Sequence, residues 1–345
     1  MTIAINTRAL GAMLTGSQRY IAELLRYFPD DKISSIAPDE YLNGIKGHMW
    51  EQFQLPSKVM GNLLFSPSNS GPLMVRNQVL TLLDVVPIDH PELLNGTFAK
   101  WYRFLIPRLV KTVHHVVTIS DFSKSRIIAT CGIPESKVTS IPLAVSENFY
   151  FRTAVESLPV IEGLKLPTDR FVLCLGSLEP RKNLARLLKA WSLIQDSIDD
   201  DIWLIIVGGQ GSRNVFQNLA LEPNIPRVHF TGHIPDSYLP SLYSSAMMFV
   251  YPSFYEGFGL PPLEAMACKS PVIVGNRASL PEVVGKSGMM VNPFDEKDIA
   301  DKILMLLRDD ALRSALAKNG YERSKIFSWQ DTAKKTFEIL NRYSS

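Results

Sequence analysis

The stretch "YPSFYEGFGLPPLEAMA", residues 251–267, places Glu256 and Glu264 eight positions apart, with Gly257, Gly259 and Pro261–Pro262 between them. Carboxylates are strong acceptors for paired hydroxyls. Glycines let backbone N–H groups approach a ligand closely, and a helix N-terminus favours an anion. Together these features call for a ligand that carries hydroxyls as well as phosphate. A second stretch, "LGSLEPRKNLARLLKAW" (175–191), complements it. Gly176 and Ser177 read as a turn, and Arg181 and Lys182 stand just before a helix that starts near Asn183. The helix dipole disfavours cations at that end, so their placement points to use as a diphosphate clamp rather than to ordinary surface charge.

Both stretches must be held by strands. In the second half, short apolar runs at "FVLCLGS" (171–177), "IWLIIVGG" (202–209), "RVHFTG" (227–232), "AMMFVYPS" (246–253), "SPVIVGN" (270–276) and "SGMMVNP" (287–293) alternate with segments of helical length. The first half has the same rhythm at "TIAI" (2–5), "NLLFSP" (62–67), "QVLTLLDVV" (78–86) and "HHVVTIS" (114–120). Near-continuous apolar strands between helices predict parallel sheets covered on both faces, hence two doubly wound α/β domains. Ligands of such sheets bind beyond the carboxyl ends of the strands, and "FYEGFG" occupies that place, feeding a helix with proline in its first turn. The irregular stretch 146–170, with its prolines, reads as the junction. The predicted domains are 1–160, 161–326, and a terminal helix, 327–345, with Ser328 or Asp331 as N-cap.

With 345 residues, 46% hydrophobic and 20% charged, the chain has material for two cores. The net charge of +2 comes entirely from the first half, with 15 basic and 13 acidic residues before position 160 and 21 of each after it, so neither half is a basic module. No polyanion-binding field and no nucleic-acid partner are expected. Cys131, Cys174 and Cys268 are scattered and read as buried thiols of a cytosolic protein. "MTIAINTRAL" has no secretory layout and no apolar run can span a bilayer, so the expected location is cytoplasmic, with contact at the inner face of the plasma membrane left open.

The motif "EGFGLPPLEAMA" resembles the E-x7-E signature of family 4 retaining glycosyltransferases. The resemblance extends over most of the chain, through "TGSQRY" (15–20), "TLLDVVPIDHPE" (81–92), "VVTISDFSKSRI" (116–127), "GIPESKVTSIPLAV" (132–145), "GSLEPRKNL" (176–184), "VHFTGHIPDSYLPSLYSSA" (228–246) and "FSWQDTA" (327–333). It is similar above all to bacterial enzymes that build lipid-linked polysaccharide, the O-antigen mannosyl- and deoxyhexosyltransferases. It implies the GT-B fold, two Rossmann-like domains facing a central cleft, with an acceptor-side N-terminal domain and a C-terminal nucleotide-sugar domain. It implies a terminal helix that returns to the first domain.

By the resemblance, Glu264 accepts from ribose hydroxyls and Glu256 contacts the transferred sugar. The amides of Gly257, Phe258, Gly259 and Leu260 address sugar and diphosphate, and Lys182 matches the phosphate lysine. Gly16 lies in the loop implied to close over the diphosphate. Many relatives carry arginine where this chain has Ser177, and Arg181 is a candidate to supply that charge. Asp84 matches a position near the reaction centre, although an Asp ending a strand also serves as a turn residue. Leu83 stands where relatives carry a histidine to the donor 6-hydroxyl. An apolar wall there suits a methyl group, so a 6-deoxy donor is an open hypothesis. The alternative is that Leu83 only packs.

The implied reaction is retaining transfer of a hexose or 6-deoxyhexose from a nucleoside-diphosphate sugar, GDP-sugars favoured, to a glycan or polyprenyl-linked glycan. No cofactor and no metal are expected. A nucleotide-sugar 2-epimerase of the same fold, or an inactive glycan-binding subunit, would share these features. Three tempting signals are declined: "DDD" (199–201) reads as a solvated turn, "GGQG" (208–211) lacks dinucleotide spacing, and His114–His115 lack partner ligands. Finally, "FAKWYRFLIPRLVKTVHH" (98–115) interleaves Lys100, Arg103, Arg108 and Lys111 with aromatics and holds no acid. It reads as a helix packed on the sheet with solvated cations outside, and also as a face for anionic lipid headgroups.

Overall fold

The computed structural model describes residues 2–11, 16–176, 179–208 and 225–344. They form two parallel six-stranded sheets. The first contains β1 (Ile3–Asn6), β2 (Ile33–Ile36), β3 (Leu63–Ser66), β4 (Gln78–Thr81), β5 (His115–Thr118) and β6 (Val138–Ser140), in the order β2-β1-β3-β4-β5-β6. The second contains β7 (Phe171–Leu175), β8 (Trp203–Val207), β9 (Val228–Gly232), β10 (Met248–Tyr251), β11 (Val272–Gly275) and β12 (Met289–Val291), in the order β12-β11-β10-β7-β8-β9. Of the inner strands, β1, β3, β4, β5, β10 and β11 are buried at every position and β7 and β8 at all but one, as a sheet covered on both faces requires. The edge strands β2 and β6 were absent from the sequence expectation. β2 reads "ISSI" with its serines exposed, so it carries no apolar run to announce it.

The chain divides into two compact units, one of Met1–Pro91, Gly96–Ala144 and Ser328–Ser345, the other of Glu92–Asn95 and Val145–Phe327. The second unit therefore begins near Val145, ahead of the boundary expected at 160/161. The stretch read as irregular holds a regular helix, Ala154–Gly163, whose N-terminus has a Thr153/Glu156 capping box. Pro159 lies inside that helix and reads as a breaker in the sequence. Just before the helix, the Arg152 N–H donates to Ser244 Oγ at 2.9 Å, within the second unit.

The terminal helix, Trp329–Tyr343, is capped by Ser328, which accepts from the Asp331 N–H. It belongs to the first unit because its apolar face is spent there. Trp329 packs near Tyr20 and Phe337 near Phe28, with ring centroids 6.4 and 5.3 Å apart. Thr332 Oγ1 also donates to the Pro142 carbonyl at 2.7 Å. Among the described residues, no helix is long and apolar enough to cross a membrane, and all three cysteines are free and buried.

Close packing fixes one glycine of the second sheet. A methyl group on Gly275, at the end of β11, would overlap the Ser253 carbonyl oxygen in the loop after β10. Gly275→Ala should therefore lower the unfolding free energy by roughly 1–3 kcal/mol in urea denaturation. Gly163, whose Cβ direction is open, serves as the control. Gly163→Ala should stay within about 1 kcal/mol of wild type.

Candidate active site

In the second sheet the chain winds outward twice from the middle, β7-β8-β9 to one side and β10-β11-β12 to the other. The topological switch point thus lies between β7 and β10, where open α/β sheets bind ligands beyond the strands' carboxyl ends. The segment after β7 carries Arg181 and Lys182 in a single 3-10 turn, Pro180–Lys182. The segment after β10 is the loop to the helix Leu260–Ala267.

These two segments lock together through Glu256. Its Oε1 accepts from Lys182 Nζ and Ser253 Oγ, each at 2.8 Å, and from Tyr251 Oη at 2.9 Å. Its Oε2 accepts from Arg181 Nη1 at 2.6 Å. Lys182 Nζ also donates to Tyr251 Oη. Arg181 Nε donates to Glu179 at 2.9 Å. Burial alone would raise the Glu256 pKa, but Arg181 and Lys182 outweigh it and hold the carboxyl at about 2. Burial, followed by the neighbouring Glu256 charge, pushes the Tyr251 phenol well above its ordinary value. Such a carboxylate cannot deliver a proton at neutral pH, and four donors make it a poor nucleophile. Its ion pairs fix the positions of the two cations.

Glu264 lies one turn into the helix, buried, and accepts from Tyr243 Oη at 3.3 Å. Gly259 precedes that helix at φ +113°, a conformation L side chains rarely adopt, and a Cβ there would also meet Leu280 at 2.8 Å. The first N–H groups of the helix have no acceptor within it. Gly257, Phe258 and Leu260 line the same turn, with Phe258 edge-on to Phe327 at 5.8 Å.

The sequence reading missed the groups that brace this loop. Ser279, fully buried after β11, shares its one hydroxyl proton between the carbonyls of Glu256 at 2.9 Å and Phe258 at 2.6 Å. Asn183 takes a left-handed conformation, φ 62°, and donates through Nδ2 to the Pro252 carbonyl at 3.1 Å and to the Pro293 carbonyl. Tyr251 and Ser253 lie inside the quoted "YPSFYEGFG". A polar pair at a buried strand end was their available signal.

The remaining expected residues are placed as follows. Ser177 lies outside the described residues, as does "GGQG" beyond Gly208. Gly16 belongs to the first unit and begins the exposed start of the helix Gly16–Tyr27. Asp84 and Leu83 follow β4 in the same unit. Asp84 Oδ1 accepts from the Val86 N–H at 3.1 Å, which is the turn role. Leu83 is buried, with its N–H donating to Asn69 Oδ1 at 2.6 Å. Asp199 and Asp201 pair with Arg170, and Asp200 with Arg227. Among the described residues, no three His, Cys, Asp or Glu side chains stand close enough to hold a metal ion.

Comparison with known proteins agrees with this geometry. The family "Glycosyl transferases group 1" matches residues 161–323, the unit that holds the switch-point cluster. The chain is 34% identical over 274 residues to the O-antigen chain mannosyltransferase B of Escherichia coli, covering 79% of this chain and 71% of that protein. It is 32% identical over 261 residues to the serotype-specific mannosyltransferase WbdA of Escherichia coli, of which it spans only 31%. Sucrose-phosphate synthase from Thermosynechococcus elongatus superposes with a TM-score of 0.74 at 21% identity, over 99% of this chain and 98% of that one. The chain belongs to the group 1 glycosyl transferases and has the GT-B fold.

Proposed function

We propose that this glycosyltransferase moves a mannosyl or related hexosyl group from a nucleoside-diphosphate sugar, GDP-mannose first among them, to a growing lipid-linked polysaccharide, with retention at the anomeric carbon. The observation that carries the reading is the ion cluster of Arg181, Lys182 and Glu256 at the switch point. Departure of the nucleoside diphosphate builds negative charge on the β-phosphate. Arg181 and Lys182, already desolvated and oriented, stabilise that charge as it forms. Lys182 has three N–H groups and spends two on Tyr251 and Glu256, which leaves one for the phosphate. Glu264 holds the ribose hydroxyls. Glu256, ionised and saturated with donors, is suited neither to acid catalysis nor to attack on the sugar, which supports same-face departure and return without a protein nucleophile. In this reading the side-chain cations carry the charge and no metal takes part.

The names of the mannosyltransferase relatives support mannose. A 6-deoxy donor is the second reading, because the leucine side chain at position 83 can neither donate to nor accept from a 6-hydroxyl. Competition between GDP-mannose and GDP-rhamnose decides between them, and Leu83→His should shift preference toward the 6-hydroxylated donor. Incubation with donor alone separates transfer from 2-epimerisation, because an epimerase converts nucleotide sugar with no acceptor present. An inactive binding subunit would bind glycan and turn over nothing.

The two nucleotide contacts should fail differently. Lys182→Ala removes charge that matters most in the transition state, so kcat should fall roughly 100-fold or more with a smaller change in KM. Glu264→Ala removes an acceptor used equally in both states, so KM for donor should rise roughly tenfold while kcat holds. Equal losses in both constants for both variants would refute the assignment.

The pinned carboxylate also has a signature in stability. Folding depresses the Glu256 pKa from 4.5 to about 2, so its contribution is present above pH 4.5 and disappears as pH falls toward 2. That shift corresponds to about 3 kcal/mol at neutral pH. Glu256→Gln should therefore be markedly less stable than wild type at pH 7, and the gap should narrow steadily below pH 4.5. A gap independent of pH would contradict the depressed pKa.

A further inference from the structure

We infer that the segment Gly44–Lys58 and the basic helix Gly96–Thr112 together form a docking surface for an anionic lipid bilayer, with Ile45, Met49 and Phe53 entering its interface. The inference deepens the membrane contact that the proposed lipid-linked acceptor requires, and rests on that reading. The segment runs without interruption through a helix, Gly44–Met49, a π-helical turn, Trp50–Gln54, and a last turn, Leu55–Lys58. Its inward face is spent on Gly47, Trp50, Glu51 and Leu55. Ile45, Met49 and Phe53, four residues apart, are 73%, 55% and 70% exposed. A row of three large apolar side chains in water needs a reason, because it adds nothing to the core.

The neighbouring helix supplies the reason. His48, beside Met49, sets its ring 5.4 Å from Trp101, and Trp101 stacks on Phe104 at 6.1 Å. Phe104 is itself 46% exposed, and Arg108 lies over its ring at 3.9 Å. The apolar row therefore continues into an aromatic one, which the cations Lys100, Arg103, Arg108 and Lys111 flank. Lys46 and Lys58 add exposed positive charge on the first segment.

The treatment of acids favours lipid over protein. Residues 98–115 contain none, and residues 44–60 contain one, Glu51. Glu51 is wholly buried, where it accepts from Asn6 Nδ2 at 2.7 Å and Ser70 Oγ at 3.1 Å, with Arg8 Nη2 3.6 Å away. The fold thus withdraws the one negative charge and leaves a face of large apolar groups among cations. That is the composition of an interfacial anchor on anionic headgroups. A second copy of the same face would be repelled by its like charge.

Flotation of the full chain tests this, with vesicles of phosphatidylcholine alone and of phosphatidylcholine mixed with phosphatidylglycerol. Wild type should float with the anionic vesicles and scarcely with the neutral ones. The triple variant Ile45→Ser/Met49→Ser/Phe53→Ser should bind roughly tenfold or more weakly, with unchanged Tm and unchanged transfer to a water-soluble acceptor. Lys100→Glu/Arg103→Glu should also lose binding, and wild-type binding should fall as salt rises. Undiminished flotation of the triple variant, or no flotation of wild type, overturns the proposal. So does sedimentation velocity showing a wild-type oligomer that the triple variant dissolves while neither binds vesicles. Transfer assayed in solution separates the two claims: loss of all transferase activity with flotation intact sinks the proposed reaction and leaves the docking surface standing.

Discussion

The burial of one ionised carboxylate organises the second unit of this molecule. Glu256 sits out of water in the loop after β10, where an unpaired charge would be prohibitive. Arg181 and Lys182, brought from the end of β7, make it tolerable. Glu179 balances Arg181 in turn, so the four side chains sum to zero formal charge. Buried ion clusters seldom exceed a packed apolar core in stability, because desolvation offsets most of the Coulombic gain. This cluster is better understood as stored orientation. Two cations are desolvated and held in place in advance, which is what the proposed stabilisation of a departing diphosphate demands.

The scaffold serves that arrangement from several strand ends at once. Asn183, next to the clamp, reaches the carbonyls of Pro252 and Pro293 and so ties the β7, β10 and β12 ends together. Ser279 holds two carbonyls of the glutamate loop from the β11 side. Gly275 leaves room for the Ser253 carbonyl, and the single hydroxyl proton of Ser253 is shared between Glu256 and the Arg181 carbonyl, each 2.8 Å away. The loop is thereby braced from neighbouring strand ends, although it has no regular structure of its own. Rigid placement of irregular backbone is the usual way α/β sheets carry their sites.

Much of this is legible in the sequence, for identifiable reasons. Inner strands reveal themselves because burial on both faces forces continuous apolar runs. The chemistry-bearing residues reveal themselves because carboxylates, glycines and adjacent cations at strand-to-helix junctions contradict ordinary packing. What stays hidden depends on distant partners. Ser279 is an unremarkable serine until the chain folds it beneath residues 256–258, and Tyr251 reads as one more strand residue until Lys182 and Glu256 converge on it. The edge strand β2 lacks an apolar run because half its positions face water. The helix Ala154–Gly163 is masked by Pro159, and its capping box offers only Thr153 and Glu156 as a signal. The burial of Glu51, on which the proposed docking face relies, depends on Asn6, Arg8 and Ser70, all remote in sequence.

In the proposed reaction the switch-point cations engage the diphosphate of the donor. Calorimetric titration of a nucleoside diphosphate against the matching monophosphate, in wild type and in Lys182→Ala, isolates that interaction as a double-mutant cycle. Wild type should prefer the diphosphate by roughly tenfold or more, and the preference should collapse toward unity in the variant. An equal preference in both proteins would contradict it.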